Sequence, residues 1–141
     1  MAALAAGRIT LTKGYLRRQT YQVAANAIIW AGGMVCLNAT GFAIPAADTA
    51  GITRVVGVAT ANVNNTGGAD GVVSVTVEYA GQFLLACGAS ITQADVGRLA
   101  CVADDQTTQD ATAATNDVPV GLVREFVSAS IGAWVDILAN S

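Results

Sequence analysis

Residues 51–88, GITRVVGVATANVNNTGGADGVVSVTVEYAGQFLLACG, decide the fold. Val56, Val58, Thr60 and Asn62 alternate with the small residues Gly57, Ala59 and Ala61. Val73, Val75, Val77 and Tyr79 alternate with Ser74, Thr76 and Glu78. A period of two is that of a half-buried strand, so each set is expected to share one face. Between the two runs, Asn64-Asn65-Thr66-Gly67-Gly68-Ala69-Asp70-Gly71 is dense in residues that tolerate turn dihedrals. The stretch predicts a hairpin of two long strands around a generous loop. A third strand follows at 82–86, with Phe83 and Leu85 facing together.

A shortened version of this unit returns further along. Val56-Gly57-Val58 is echoed by Val120-Gly121-Leu122. Gly32-Gly33-Met34-Val35-Cys36-Leu37 is echoed, at almost the same spacing, by Gly97-Arg98-Leu99-Ala100-Cys101-Val102. Val73-Ser74-Val75-Thr76-Val77 is echoed at a somewhat shorter spacing by Ala133-Trp134-Val135-Asp136-Ile137. The spacing falls because nine residues separate Val63 from Val73 and only five separate Val127 from Ala133. Hairpin loops absorb such changes at little entropic cost. The expectation is a mainly β chain: a small β-barrel or β-sandwich built from two similar β units, 20–80 and 81–139. These belong to one domain, 20–141, behind an extended basic N-terminal arm, 1–19. Two copies are too few for a solenoid, but each half can cover the other's apolar face.

Elsewhere the pattern is coarser. Residues 22–30 fit strand or helix. A short strand at 34–38 turns at Thr40-Gly41 into Phe42-Ala43-Ile44, which Pro45 ends because it cannot donate to a ladder. Ser90-Ile91-Thr92-Gln93-Ala94-Asp95-Val96-Gly97 reads as one helical turn with a Ser90 cap and a Gly97 stop. Residues 104–117 form a polar surface stretch with room for one short strand. Strands at 120–127 and 133–138 complete the second copy.

The 141 residues suffice for one core. Charged residues are only 12% of the chain, about half the usual quarter. There are 28 Ala, 17 Val, 14 Thr and 15 Gly, and mean hydropathy is +0.51. No membrane span is expected. The longest uncharged run, 19–47, contains Asn26, Asn38, Thr40 and Pro45, which would strand polar groups in lipid. A weakly charged surface of this kind points to burial against other protein chains; the alternative is a compact monomer covered in Ala and Thr. The opening Met1-Ala2-Ala3-Leu4-Ala5-Ala6-Gly7 lacks the basic start and the length of a secretion signal, so the chain is expected to stay in a cytoplasm.

Charge is segregated. Arg8, Lys13, Arg17 and Arg18 give the first 47 residues +4, while three basic and ten acidic residues give the remainder −7. A basic arm on an acidic body suits contact with a negative neighbour. The alternative is a solvated terminus. Four charges with Tyr15 and Tyr21 are too few for a nucleic-acid interface. Arg8, Lys13, Tyr15, Arg17 and Arg18 are therefore the candidate partner-binding residues.

Reactive chemistry is sparse. There is no histidine, and the single lysine, Lys13, stands in the arm. No GxxxxGK[ST] is present, which argues against a phosphate loop. Cys36, Cys87 and Cys101 contain no CxxC and read as small buried hydrophobes. Asp104-Asp105, the only adjacent acid pair, reads as solvated surface. Gly67-Gly68-Ala69-Asp70-Gly71 offers calcium one carboxylate where several oxygens are needed. No catalytic, cofactor or metal site is expected, and the chain is not expected to be an enzyme.

Four pieces in order then carry a resemblance: Ala31-Gly32-Gly33-Met34-Val35; Ile44-Pro45-Ala46-Ala47-Asp48-Thr49-Ala50-Gly51; Val56-Gly57-Val58-Ala59; and Tyr79-Ala80-Gly81-Gln82-Phe83. Ile91-Thr92-Gln93-Ala94-Asp95-Val96-Gly97 and Val120-Gly121-Leu122-Val123 fit the second half. Over roughly 20–138 the chain resembles the capsid cement, or head decoration, proteins of tailed bacteriophages. The family often has Gly-Asp where this chain has Gly32-Gly33. The resemblance implies a virion protein made in the bacterial host cytoplasm. It would bind the outer surface of the capsid as homotrimers at threefold and quasi-threefold positions and clamp neighbouring capsomers. Its partners would be the major capsid protein and itself, with no nucleic acid, membrane or cofactor. The alternatives are another phage structural subunit, such as a tail tube or fibre base, and a small ligand-binding β module.

Overall fold

The computed structural model describes residues 2–13 and 17–137. Among them lie β1 (Thr12–Lys13), β2 (Arg18–Gln22), β3 (Ile28–Ile29), β4 (Met34–Leu37), β5 (Ala43–Pro45), β6 (Val55–Ala59) and β7 (Val63–Asn64). They continue with β8 (Ser74–Glu78), β9 (Gln82–Cys87), β10 (Leu99–Val102), β11 (Thr107–Asp110), β12 (Pro119–Ser128) and β13 (Gly132–Asp136). A 3-10 turn spans Gln93–Asp95. The chain is mainly β, as expected, and contains a closed barrel.

Closure is complete in the second half. The order β9-β11-β10-β12-β13 returns to β9 through the pairs Leu85 with Ala133 and Phe83 with Val135. A ring has no free edges over its closed length. The first half repeats the order as β2-β8-β6-β4-β5. A single parallel bridge, Val23 with Ala43, and the bond from Ala24 N–H to Ala43 C=O at 3.0 Å join its ends. A small sheet of β3 and β7 stands apart, and β1 adds a strand to the edge of β9.

Registers match between the rings residue by residue. Cys36 pairs with Ile44 and Cys101 with Gln109, so both members of the first pair have their counterparts at the spacing of the Gly32–Leu37 echo. Val23 faces Ala43 and Cys87 faces Thr108, both pairs parallel. Val35 pairs with Gly57 and Ala100 with Gly121, and a register shift follows in both. Val58 pairs with Glu78 and Leu122 with Asp136, so Glu78 of β8 is the counterpart of Asp136 of β13. The sequence echo had matched Asp136 to Thr76 and is therefore displaced by two positions. In alternating valine strands a slip of two preserves the buried face, so composition alone cannot fix it.

The first ring is filled by Val23, Ile29, Val35, Ala43, Ala59, Val75 and Val77. The second is filled by Phe83, Leu85, Val102, Val120, Val123, Val135 and their neighbours, and its core continues into Met34, Cys36, Val55 and Val58 of the first half. β4 is thus buried on both faces, which explains its unbroken apolar run.

Four expectations are corrected. Val56 and Val58 do not share a face: Val55 and Val58 join one core, Val56 and Ala59 the other. The cause is the bulge in β6, where two residues oppose one and alternation restarts. Gly57 makes this possible, since a Cβ there would sit 2.7 Å from Val77 Cγ2 and 2.8 Å from the Glu78 carbonyl. The predicted long hairpin is short. β6 and β8 pair only at Val58–Glu78 and Ala59–Val77, after which Val63 and Asn64 leave to pair with β3. Asn65 is buried and donates to the Ala24 and Ala69 carbonyls, so the loop packs against 23–27. The helical turn is capped at Thr92, whose N–H donates to Asp95 Oδ2 at 2.8 Å, while Ser90 Oγ accepts from Asp110 N–H. Asp105, expected in solvent, is buried, and burial pushes its carboxyl above the usual range despite the Leu4 N–H it accepts.

Candidate partner-binding face

The arm lies against its own chain. Leu4 N–H donates to Asp105 Oδ1 at 2.8 Å, and Arg8 N–H donates to the Ala31 carbonyl at 2.7 Å. Thr10 Oγ1 donates to the Gly32 carbonyl at 2.6 Å. Gly32 is needed there, because it adopts φ +81° and any Cβ would collide with the Arg8 backbone. Leu11 then accepts from Leu84 N–H at 2.8 Å, and Thr12 and Lys13 pair with Phe83 and Gln82.

This docking builds a four-strand outer face. Phe83, Leu85, Ala133 and Val135 point into the second ring, so Leu84 and Trp134 point out. Across the strands run Leu11, Leu84, Trp134 and Glu125. The Lys13 ammonium sits 4.3 Å from the Trp134 ring centroid and 3.5 Å from Glu125 Oε1. Both charged side chains are about half exposed, so the ion pair contributes little, under about 1 kcal/mol. Of the apolar side chains on the arm, on β12 and in the β12–β13 turn, Ile9 is 88% exposed, Leu11 55%, Val127 40% and Ile131 57%. Leu84 and Trp134 are thus flanked by Lys13 and Glu125, and Gln82 and Asp136, two residues further along the same strands, share the face.

The candidate residues divide between the two halves. Lys13 lies on the outer face of the second ring. Arg8 reaches Gln106 Oε1 at 3.1 Å, bridging the halves. Arg17 and Arg18 stand on the first ring, with Arg18 3.5 Å from Glu78 Oε2 and Arg17 exposed. Tyr15 lies outside the described residues. Sequence reading missed Trp134, Glu125 and Leu84, which only long-range strand pairing brings to Lys13. The alternation around Leu84 was the one local sign that it faces outward.

A clasp joins the halves elsewhere. Asp48, in the Pro-Ala-Ala-Asp loop after β5, accepts from Thr115 N–H at 2.9 Å, Asn116 N–H at 2.8 Å and the Gln109 amide at 3.2 Å. Its own carbonyl accepts from the Asn116 amide at 2.9 Å. Burial pushes the carboxyl up, but these donors together hold it below its ordinary range.

The remaining chemistry is spare. Cys36, Cys87 and Cys101 are buried free thiols, and burial pushes Cys36 up to about 12. Among the described residues no cluster of metal-ligating side chains is assembled, and no helix is long and apolar enough to cross a membrane. An open recess of about 420 Å³ is lined by Ser90, Asp104, Thr107 and Gln109, and the Thr107 hydroxyl has no partner. Set against models of protein families, characterised proteins and solved structures, the chain has no match in any of the three.

Proposed function

We propose that this chain is a structural virion protein, a decoration protein that binds the outer surface of a tailed-phage capsid and stabilises the DNA-filled head. The observation that carries the reading is the outer face of the second ring, where exposed Leu11 and partly buried Leu84 and Trp134 lie beside Lys13 and Glu125. An apolar centre with a polar rim is interface anatomy, and solvent alone gives no reason to present it. The motif order from Ala31 to Phe83 supplies the class of partner, and the low charge of the body suits subunit contacts.

The mechanism is linkage. A protein that binds the assembled lattice and not its dissociated subunits stabilises the lattice by its binding free energy. Trimers at threefold positions would engage several capsomers at once, so modest contacts add multivalently. Adding the purified protein to undecorated heads is expected to raise their rupture temperature. No rise at saturating protein would overturn the reading.

A further inference from the structure

Because the two rings share strands, order and register, an edge that is covered in one and open in the other carries information. In the second ring β9 gives one edge to β13. Its other edge is covered throughout: β1 pairs at Gln82 and Phe83, Leu84 N–H donates to Leu11, Ala86 N–H donates to Gln106 at 3.1 Å, and β11 pairs at Ala86 and Cys87.

In the first ring β2 gives one edge to β8. The bonds from Tyr79 N–H to Arg17 C=O and from Val23 N–H to Val73 C=O, both 2.9 Å, fix the alternation. Residues 17, 19, 21 and 23 therefore aim their backbone groups at β8, while Arg18, Thr20 and Gln22 aim theirs outward. On that side β5 reaches only the end of the strand, Gln22 to Ala24, through the parallel bridge of Val23 with Ala43. The Gln22 carbonyl takes the Ala43 N–H through that bridge, but no described backbone carbonyl accepts from the N–H of Arg18, Thr20 or Gln22 there, and all three residues are exposed. The Gln19 amide also touches the edge, at the Thr20 carbonyl, 3.3 Å away. Thr20 is the counterpart of Leu84, whose N–H is taken by the β1 segment.

The side chains state what this edge accepts. A strand like β1 would set a lysine opposite Arg18, as Lys13 stands opposite Gln82, and like charges directly opposed are unfavourable. β8 is the strand β2 already takes: it sets Glu78 opposite Arg18, Thr76 Oγ1 2.9 Å from Thr20 Oγ1, and Ser74 opposite Gln22. Arg17 adds an exposed cation with no ion pair among the described residues.

We propose that the open edge of β2 takes an extended strand of a partner protein by backbone pairing, an acidic segment rich in serine or threonine that sets a carboxylate against Arg17 and Arg18. This deepens the decoration reading, on which the choice of a shell protein as the source rests; the edge chemistry itself does not depend on it.

The test uses the full chain, labelled for amide exchange, and two synthetic peptides. The acidic probe has the sequence of residues 73–79, VSVTVEY, and the basic control that of residues 8–13, RITLTK. The acidic peptide is expected to slow exchange at Arg18, Thr20 and Gln22, and the basic peptide is not. Arg18→Glu is expected to weaken the acidic peptide about tenfold and to admit the basic one. Thr20→Pro removes an outward N–H and leaves the β8 ladder intact, so it should abolish binding in a folded protein. If that variant does not fold, Arg18→Glu still decides. Unchanged exchange, or equal binding of both peptides, would overturn the proposal. So would a concentration-dependent dimer protecting the same amides without peptide, since the occupant would then be a second copy. Peptide capture by a protein that binds no heads would support the edge and sink the decoration reading.

Discussion

Replacing Asp48 with Asn tests whether the two rings are clasped as described. The carboxylate accepts three bonds from the far half, with Thr115 and Gln109 on Oδ2 and Asn116 on Oδ1. An amide of the same shape keeps one acceptor oxygen and turns an NH₂ toward a donor, so at least one bond is lost and one N–H is left opposed. Hydrogen bonds to charged groups contribute about 1.5–3 kcal/mol each, and the site is only half-buried, so about 1–2 kcal/mol is expected in total. For a chain of this size that is roughly 3–8 °C in Tm. The carboxyl is held below its ordinary range, so its contribution is full above the unfolded pKa and disappears as pH falls through the lower folded pKa. Thermal unfolding of Asp48→Asn and wild type should therefore differ at pH 7 and converge once pH falls below the carboxylate range. Equal stability at pH 7, or a deficit independent of pH, would refute the clasp.

Three further outcomes follow from the same geometry. Gly57→Ala and Gly121→Ala, at equivalent places in the two rings, each force a Cβ against a neighbouring strand's backbone, and each should cost about 2 kcal/mol or more in urea unfolding; a neutral result at either would discard the shared bulge. Cys36, with its thiol pushed up to about 12 by burial, should resist a thiol reagent at pH 8 until the protein unfolds, and rapid labelling of native protein would contradict its place between the cores. The double change Arg17→Glu and Arg18→Glu should weaken head binding, most at low salt, and unchanged affinity would remove this pair from the capsid contact.

Much of the architecture was legible because strands leave a period-two record. Val73, Val75 and Val77 do share a face, the turn-forming residues from Asn65 to Gly71 do form a loop although Asn64 joins β7, and the echo of Gly32–Leu37 in Gly97–Val102 does mark equivalent strands. What stayed hidden was non-local. Gly57 looks like one more small residue in an alternating strand, yet its bulge moves Val58 into the other core. The echo of Val73–Val77 in Ala133–Ile137 was two positions off because valine alternation reads the same after an even slip. The polar stretch 104–117 gave no sign that Thr107 and Thr108 are buried and help close a ring, since that depends on β9 arriving in parallel. At the candidate face, the basic residues stood out by charge. Trp134 reaches Lys13 only across strands far apart in sequence, and buried Asp105 meets Leu4 of the arm from a hundred residues away in the chain.

The most direct measurement is an image of the particle that contains this chain, at a resolution that separates its two five-stranded rings. The account predicts density for three copies around each threefold and quasi-threefold position on the outside of the head, with the row from Leu11 to Glu125 against protein. Density in a tail tube or fibre base, or rings with that row facing solvent, would contradict it.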